Sequence, residues 1–107
     1  MDWITGIQRA IDYTEAHLTD NIDYEAVANE AYSSSFHFQR VFGILCGFSL
    51  GDYIRMRRLS LAAEELRRTN DKIIDIALKF GYDTPESFSR AFARFHRITP
   101  TEARHGG

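Results

Sequence analysis

Apolar residues recur along this chain at the spacing of one helix face. Ile4, Ile7, Ile11, Thr14 and Leu18 predict a helix from about Trp3 to Leu18, with Asp2 at its start. After a loop at 19–22, Asp23 caps a short helix, Tyr24 to about Ala31, that buries Tyr24, Val27, Ala28 and Ala31. Ser34 caps the next, Ser35 to Cys46. Its buried stripe is Phe38, Val41, Phe42 and Leu45, and Phe36, Gln39, Arg40 and Gly43 lie on the other side. A long helix follows from about Leu50 to Thr69, apolar at Leu50, Tyr53, Ile54, Leu61, Ala62 and Leu66, and Asn70 and Asp71 end it and cap its successor. That short helix carries Ile73, Ile76, Ala77 and Phe80, and Gly81 supplies the positive φ that stops it. Thr84 is the next N-cap and Pro85 suits the first helical position. The helix so begun buries Phe88, Ala91, Phe92 and Phe95 and shows Glu86, Arg90, Ala93, Arg94 and Arg97. Thr99-Pro100 opens a last short helix ending near Arg104. The pattern predicts an all-α fold of about seven helices.

Part of the pattern occurs twice. Tyr24, Val27, Ala28 and Ala31 match Ile73, Ile76, Ala77 and Phe80 at an offset of 49. Ser34, Phe38, Arg40, Phe42, Leu45 and Ser49 match Thr84, Phe88, Arg90, Phe92, Phe95 and Thr99 at an offset of 50. Pairing Tyr32 with Tyr82 makes Gly81 the inserted residue. Helical periodicity alone does not generate such a match. Core packing, moreover, has no need of the shared exposed arginine, Arg40 and Arg90. A short helix holding an arginine-bearing helix at a fixed angle is how helix-turn-helix proteins enter the DNA major groove. The layout expected is a first helix-turn-helix subdomain over 1–49, a linker helix over 50–69 and a second subdomain over 70–107. Some 20 residues of helix span roughly 30 Å. That is close to the ~34 Å between successive major grooves on one face of B-DNA.

Charge changes the picture in one respect. The chain has 107 residues and a net charge of −2, which argues mildly against nucleic acid. Residues 1–39, however, hold one basic and seven acidic side chains, net −6, while residues 40–107 hold twelve and eight, net +4. Eleven of the thirteen basic residues are Arg, whose planar fork suits phosphates and guanine edges. Arg55, Arg57 and Arg58 of the long helix either pair with acidic residues or touch phosphates. Cys46 is alone, so no internal disulfide or cysteine-based zinc cluster can form, and His17, His37, His96 and His105 show no HExxH pairing. No Gly-rich phosphate loop or GxSxG elbow occurs. The sequence thus offers no catalytic constellation, metal site or cofactor site. No apolar run reaches membrane-spanning length and no signal peptide opens the chain, so a cytoplasmic protein is expected. A protein-interaction module with Phe36 and Ile44 as an apolar patch is the other function class left open.

Three motifs carry a family resemblance: AVANEAYSSSFHFQRVF, GFSLGDYIRMRRL, and IIDIALKFGYDTPESFSRAF followed by ITPTEAR. Together they resemble the DNA-binding domain of the AraC/XylS family of bacterial transcription regulators, from about residue 5 to Arg104. IDYEAVA, FHFQRVF and TPESFSRAF look most like members that carry a GyrI-like effector-binding domain after it, which would make this chain an N-terminal piece. The resemblance implies two homeodomain-like helix-turn-helix subdomains joined by a long helix and reading successive major grooves of double-stranded operator DNA. RNA polymerase and an effector-binding domain outside this chain are the further partners it implies.

Carried over by position, the base-reading residues are Ser35, Phe36, Gln39 and Arg40 in the first unit and Glu86, Ser87, Ser89 and Arg90 in the second. Ser34, Thr84, Arg94 and Arg97 are the phosphate contacts. The chemistry fits: Arg forks onto guanine, Gln onto adenine, and Phe36 meets a thymine methyl. Glu86 either accepts from cytosine N4 or supports the helix N-terminus. Gly43 and Ala93 stand where the family often has Lys or Arg, Arg97 where a glycine is common, and Ala103 where an aromatic is common.

Overall fold

The structure is a computed structural model that describes residues 2–106; Met1 and Gly107, the ends of the expected layout, lie outside them. Seven helices and no strand make up the described residues, as the spacing predicts: α1 (Trp3–Ala16), α2 (Tyr24–Asn29), α3 (Ser35–Cys46), α4 (Leu50–Arg68), α5 (Ile73–Lys79), α6 (Pro85–His96) and α7 (Pro100–Gly106). They form two compact units, Met1–Ile54 and Arg55–Gly107. The division falls within α4, whose first turn belongs to one unit and whose remainder belongs to the other.

In the first unit α2 packs on α1 and α3. Its core comprises Ile7, Ala10, Leu18, Val27, Ala28, Phe38, Phe42, Leu50 and Ile54. Thr14 is buried among them, and its hydroxyl is satisfied by donating to the Ala10 carbonyl at 2.8 Å. The helix ends at Ala16 rather than Leu18, yet Leu18 still reaches the core. Ile4 lies on the expected buried face but is exposed, and Ala10 is buried in its stead. Tyr53 ties α4 to α1 by donating to Glu15 at 2.7 Å. Asp2 caps α1 by accepting from Thr5 N–H at 2.8 Å, which holds its carboxyl below the usual range.

The second unit repeats this scheme with α5 against α6 and α7 against α6. Leu59, Ala62, Ala63 and Leu66 of α4 meet Ile76, Ala77, Phe80, Phe88, Phe92 and Ala103 in one core. Two fully buried phenylalanines of each unit, Phe38 with Phe42 and Phe88 with Phe92, keep the offset of 50, and the second unit adds a third, Phe80. Asp71 does not cap α5: Lys72 holds that place without a side-chain bond. Arg104 secures this corner by donating to the Leu66 carbonyl at 3.0 Å and the Asp71 carbonyl at 2.6 Å. A capping box opens α7, with Thr99 N–H donating to Glu102 at 2.8 Å and Glu102 N–H to Thr99 Oγ1 at 3.1 Å. The bonds its carboxyl accepts from Thr99, first from the backbone N–H and then from the side chain, hold Glu102 below its ordinary value. The support it gives α7 is therefore present above the usual carboxyl range and fades as pH falls through the lowered value.

The turn between short and long helix revises the alignment of the two copies. Ser33 N–H donates to the Ala28 carbonyl at 3.1 Å and Tyr82 N–H to the Ala77 carbonyl at 2.9 Å. The left-handed residue just before each is Tyr32, φ 54°, and Gly81, φ 90°. Tyr32 therefore corresponds to Gly81 rather than to Tyr82, and the extra residue of the second copy lies between Gly81 and Thr84. Gly81→Ala should lower unfolding free energy by ~1–2 kcal/mol, since Cβ is strained at positive φ and this one would sit 3.3 Å from Arg58 Nη1. Urea denaturation of the two proteins measures the difference.

Candidate nucleic-acid interface

Both long helices of the repeats begin on a hydroxyl cap. Ser34 Oγ accepts from His37 N–H at 3.3 Å, and Thr84 Oγ1 from Ser87 N–H at 3.0 Å. Ser87 is drawn into its cap as well, donating its hydroxyl to the Thr84 carbonyl at 3.0 Å while accepting from Thr84 Oγ1 at 2.9 Å. Three hydroxyls expected at the DNA, those of Ser34, Thr84 and Ser87, therefore also start the helices that carry the other candidates.

Along α3, Phe36, Arg40 and Ile44 follow one another a turn apart, and all three are exposed. Gln39 is half-buried beside them, and its amide donates to Ser35 Oγ at 2.9 Å. Along α6 the matching exposed positions are Glu86, Arg90 and Arg94, with Ser89 half-buried. No hydrogen bond or ion pair to another described residue engages the side chains of Arg40, Glu86, Arg90, Arg94 or Arg97. Several other cations are occupied. Arg9 binds Glu30, Lys79 binds Glu65, and Arg55, Arg57 and Arg58 all interact within the protein. Arg55 and Arg58 also lie near enough to Tyr82 to oppose the upward push that burial gives its phenol.

Two residues of the expected buried stripes of α3 and α6 are exposed. Leu45 is 56% exposed and Phe95 40% exposed. In α6 the packed stripe continues instead through His96, whose ring lies 4.3 Å from that of Phe92 and whose Nε2 donates to the Leu59 carbonyl at 2.9 Å. His96 carries no functional signal in the sequence beyond its place four residues after Phe92. Arg97 ends α6 in the left-handed conformation at φ 67°, as Gly47 ends α3 at φ 81°. The unusual residue leaves the helix ending unchanged. Charge follows the units: two basic and eight acidic side chains give −6 in the first, eleven and seven give +4 in the second. Among the described residues no group of three His, Cys, Asp or Glu side chains could hold a metal ion, and no helix is long and apolar enough to cross a membrane.

Comparison with known proteins gives this arrangement a family. The model of a helix-turn-helix domain family matches residues 27–106. The regulatory protein SoxS of Escherichia coli (strain K12) is 41% identical over 99 residues, 92% of each chain. The uncharacterized HTH-type transcriptional regulator YbfP of Bacillus subtilis (strain 168) is 39% identical over 95 residues, and there the match covers 89% of this chain but 32% of the relative. The chain thus spans nearly all of one relative and about a third of another. Among solved structures, an AraC-type transcriptional regulator from Chromobacterium violaceum superposes with a TM-score of 0.87 at 25% identity, over 94% of this chain and 89% of that one. With the helix order, the duplicated unit and the exposed arginines already in place, these matches show that the chain belongs to the AraC/XylS family of helix-turn-helix transcription regulators, DNA-binding proteins and not enzymes.

Proposed function

We propose that this domain binds double-stranded operator DNA sequence-specifically, with α3 and α6 in successive major grooves. One observation carries the reading: Arg40 and Arg90 occupy the same repeat position, exposed and unengaged by any described residue, on helices with the same cap and core. Ser35, Phe36, Gln39 and Arg40 face base edges in one groove, and Glu86, Ser87, Ser89 and Arg90 in the other. Ser34, Thr84, Arg94 and Arg97 meet phosphates. The subdomains 1–49 and 70–107 act as the two readers and 50–69 as their spacer. The domain works in the cytoplasm as part of a regulator that also contacts RNA polymerase and takes its signal from an effector-binding domain outside this chain.

Measuring affinity for random-sequence duplex at two salt concentrations tests the reading, since phosphate contacts release counterions and weaken steeply as salt rises. No binding even at low salt overturns it. Arg97 gives a finer test. Arg97→Gly removes left-handed strain of ~1–2 kcal/mol, partly offset by the freer unfolded glycine, for a net gain of about 0.5–1 kcal/mol in stability. The same change should weaken DNA binding uniformly across sequences and reduce the salt slope by about one. Denaturation and salt titration of the one variant read both effects, which have opposite signs.

A further inference from the structure

Around their shared arginine the two recognition helices present opposite chemistry. At the offset of 50, Phe36 corresponds to Glu86, Ile44 to Arg94 and Gly47 to Arg97. Phe36 is 77% exposed and Ile44 73%, at four residues to either side of Arg40. Positions i, i+4 and i+8 fall on one face, so α3 carries an apolar–arginine–apolar stripe. Its ends lie ~12 Å apart along the axis. At ~3.4 Å per base pair that spans three to four pairs. A surface cleft of ≈ 430 Å³ runs beside the stripe, lined by Phe36, Gln39, Arg40, Ser49 and Leu50.

A major groove offers such a stripe one apolar group, the C5-methyl of thymine. The unit that carries α3 has a net charge of −6, so few of its contacts can draw on phosphate neutralisation. We infer that the first unit reads thymine methyl groups on either side of the base held by Arg40, through Phe36 and Ile44, whereas α6 reads its half-site through charged and polar groups. The inference rests on the DNA-binding reading proposed above.

Uracil substitution isolates the methyl group. A site is selected from a random duplex pool with the full chain, and Arg40→Ala and Arg90→Ala locate the two half-sites by the positions whose preference each relaxes. Each thymine is then replaced singly by deoxyuridine, which removes only the methyl. One or two thymines in the Arg40 half-site should each cost about fourfold in affinity, from the loss of one buried methyl. Thymines in the Arg90 half-site should cost less than about twofold. Phe36→Ala with Ile44→Ala should abolish the thymine–uracil difference while leaving the thermal melt unchanged, because both side chains are exposed. Uracil tolerated at every position overturns the inference and leaves DNA binding standing. So does a thymine–uracil difference that survives the double substitution, an outcome that would assign the methyl reading to other side chains. Failure to select any site removes the DNA reading and this inference together.

Discussion

Phe92→Ala should lower the unfolding free energy by ~3–5 kcal/mol, the cost of emptying a fully packed phenylalanine site. Phe92 is wholly buried, with the Phe88 ring 5.5 Å away on one side and His96 4.3 Å away on the other. Ala62, Ala77 and Ala103 share this core, and their small side chains cannot swing in to fill the void. Domains of this size have ~5–15 kcal/mol in total, so the variant forfeits a large fraction of its margin. Phe42→Ala should do the same to the first unit, where Phe42 meets Phe38 at 5.8 Å and Tyr53 at 6.0 Å. Phe95→Ala is the internal control. It removes the same side chain from the same helix as Phe92→Ala, but from a site 40% exposed. It should cost under ~1.5 kcal/mol, because much of the ring is already in water. Urea melts followed by circular dichroism decide the matter, and equal losses at Phe92 and Phe95 would show that the buried stripe has been misplaced.

The contrast between those two phenylalanines marks where the sequence stops being legible. Helical spacing identifies Phe38, Phe42, Phe88 and Phe92 correctly, because each pair lies mid-helix with about one turn on either side to define the buried face. At the last turn that averaging runs out. About 100° per residue places Phe95 nearer the centre of the stripe than His96. What draws the half-buried His96 onto the core instead is its bond to the Leu59 carbonyl on α4, a tertiary partner that no local pattern encodes. The turn in the first copy was obscured for a related reason. Residue type pairs Tyr32 with Tyr82, but the backbone pairs it with Gly81, and a tyrosine at positive φ carries no turn signal. The serine and threonine caps were readable, being local side-chain-to-backbone bonds. The arginines of α3 and α6 were readable only as a repeated exposed position. That they lack a described partner, unlike Arg9 or Arg55, is a property of the folded chain alone.

That property yields the second large effect. Arg40→Ala and Arg90→Ala should each cost ~1–3 kcal/mol on the specific site, about 5- to 150-fold in affinity, and relax the preference at one base pair. Neither arginine engages another described residue, so its removal leaves no buried charge behind and the fold should stay intact. Lysine is a poor replacement, since an ammonium cannot fork onto guanine O6 and N7 with the planar geometry of a guanidinium. Arg→Lys at either position should keep the salt slope while losing much of the discrimination, whereas Arg→Ala loses discrimination outright. Arg94→Ala should behave differently, weakening all sequences alike and flattening the salt dependence by about one contact. Arg40 and Arg90 lie in different compact units, so their losses should add in the double variant. Selection of binding sites by each variant from one random pool measures these outcomes together. Site preferences unchanged in both single variants, with native circular dichroism, would mean that the reading face lies elsewhere on the domain.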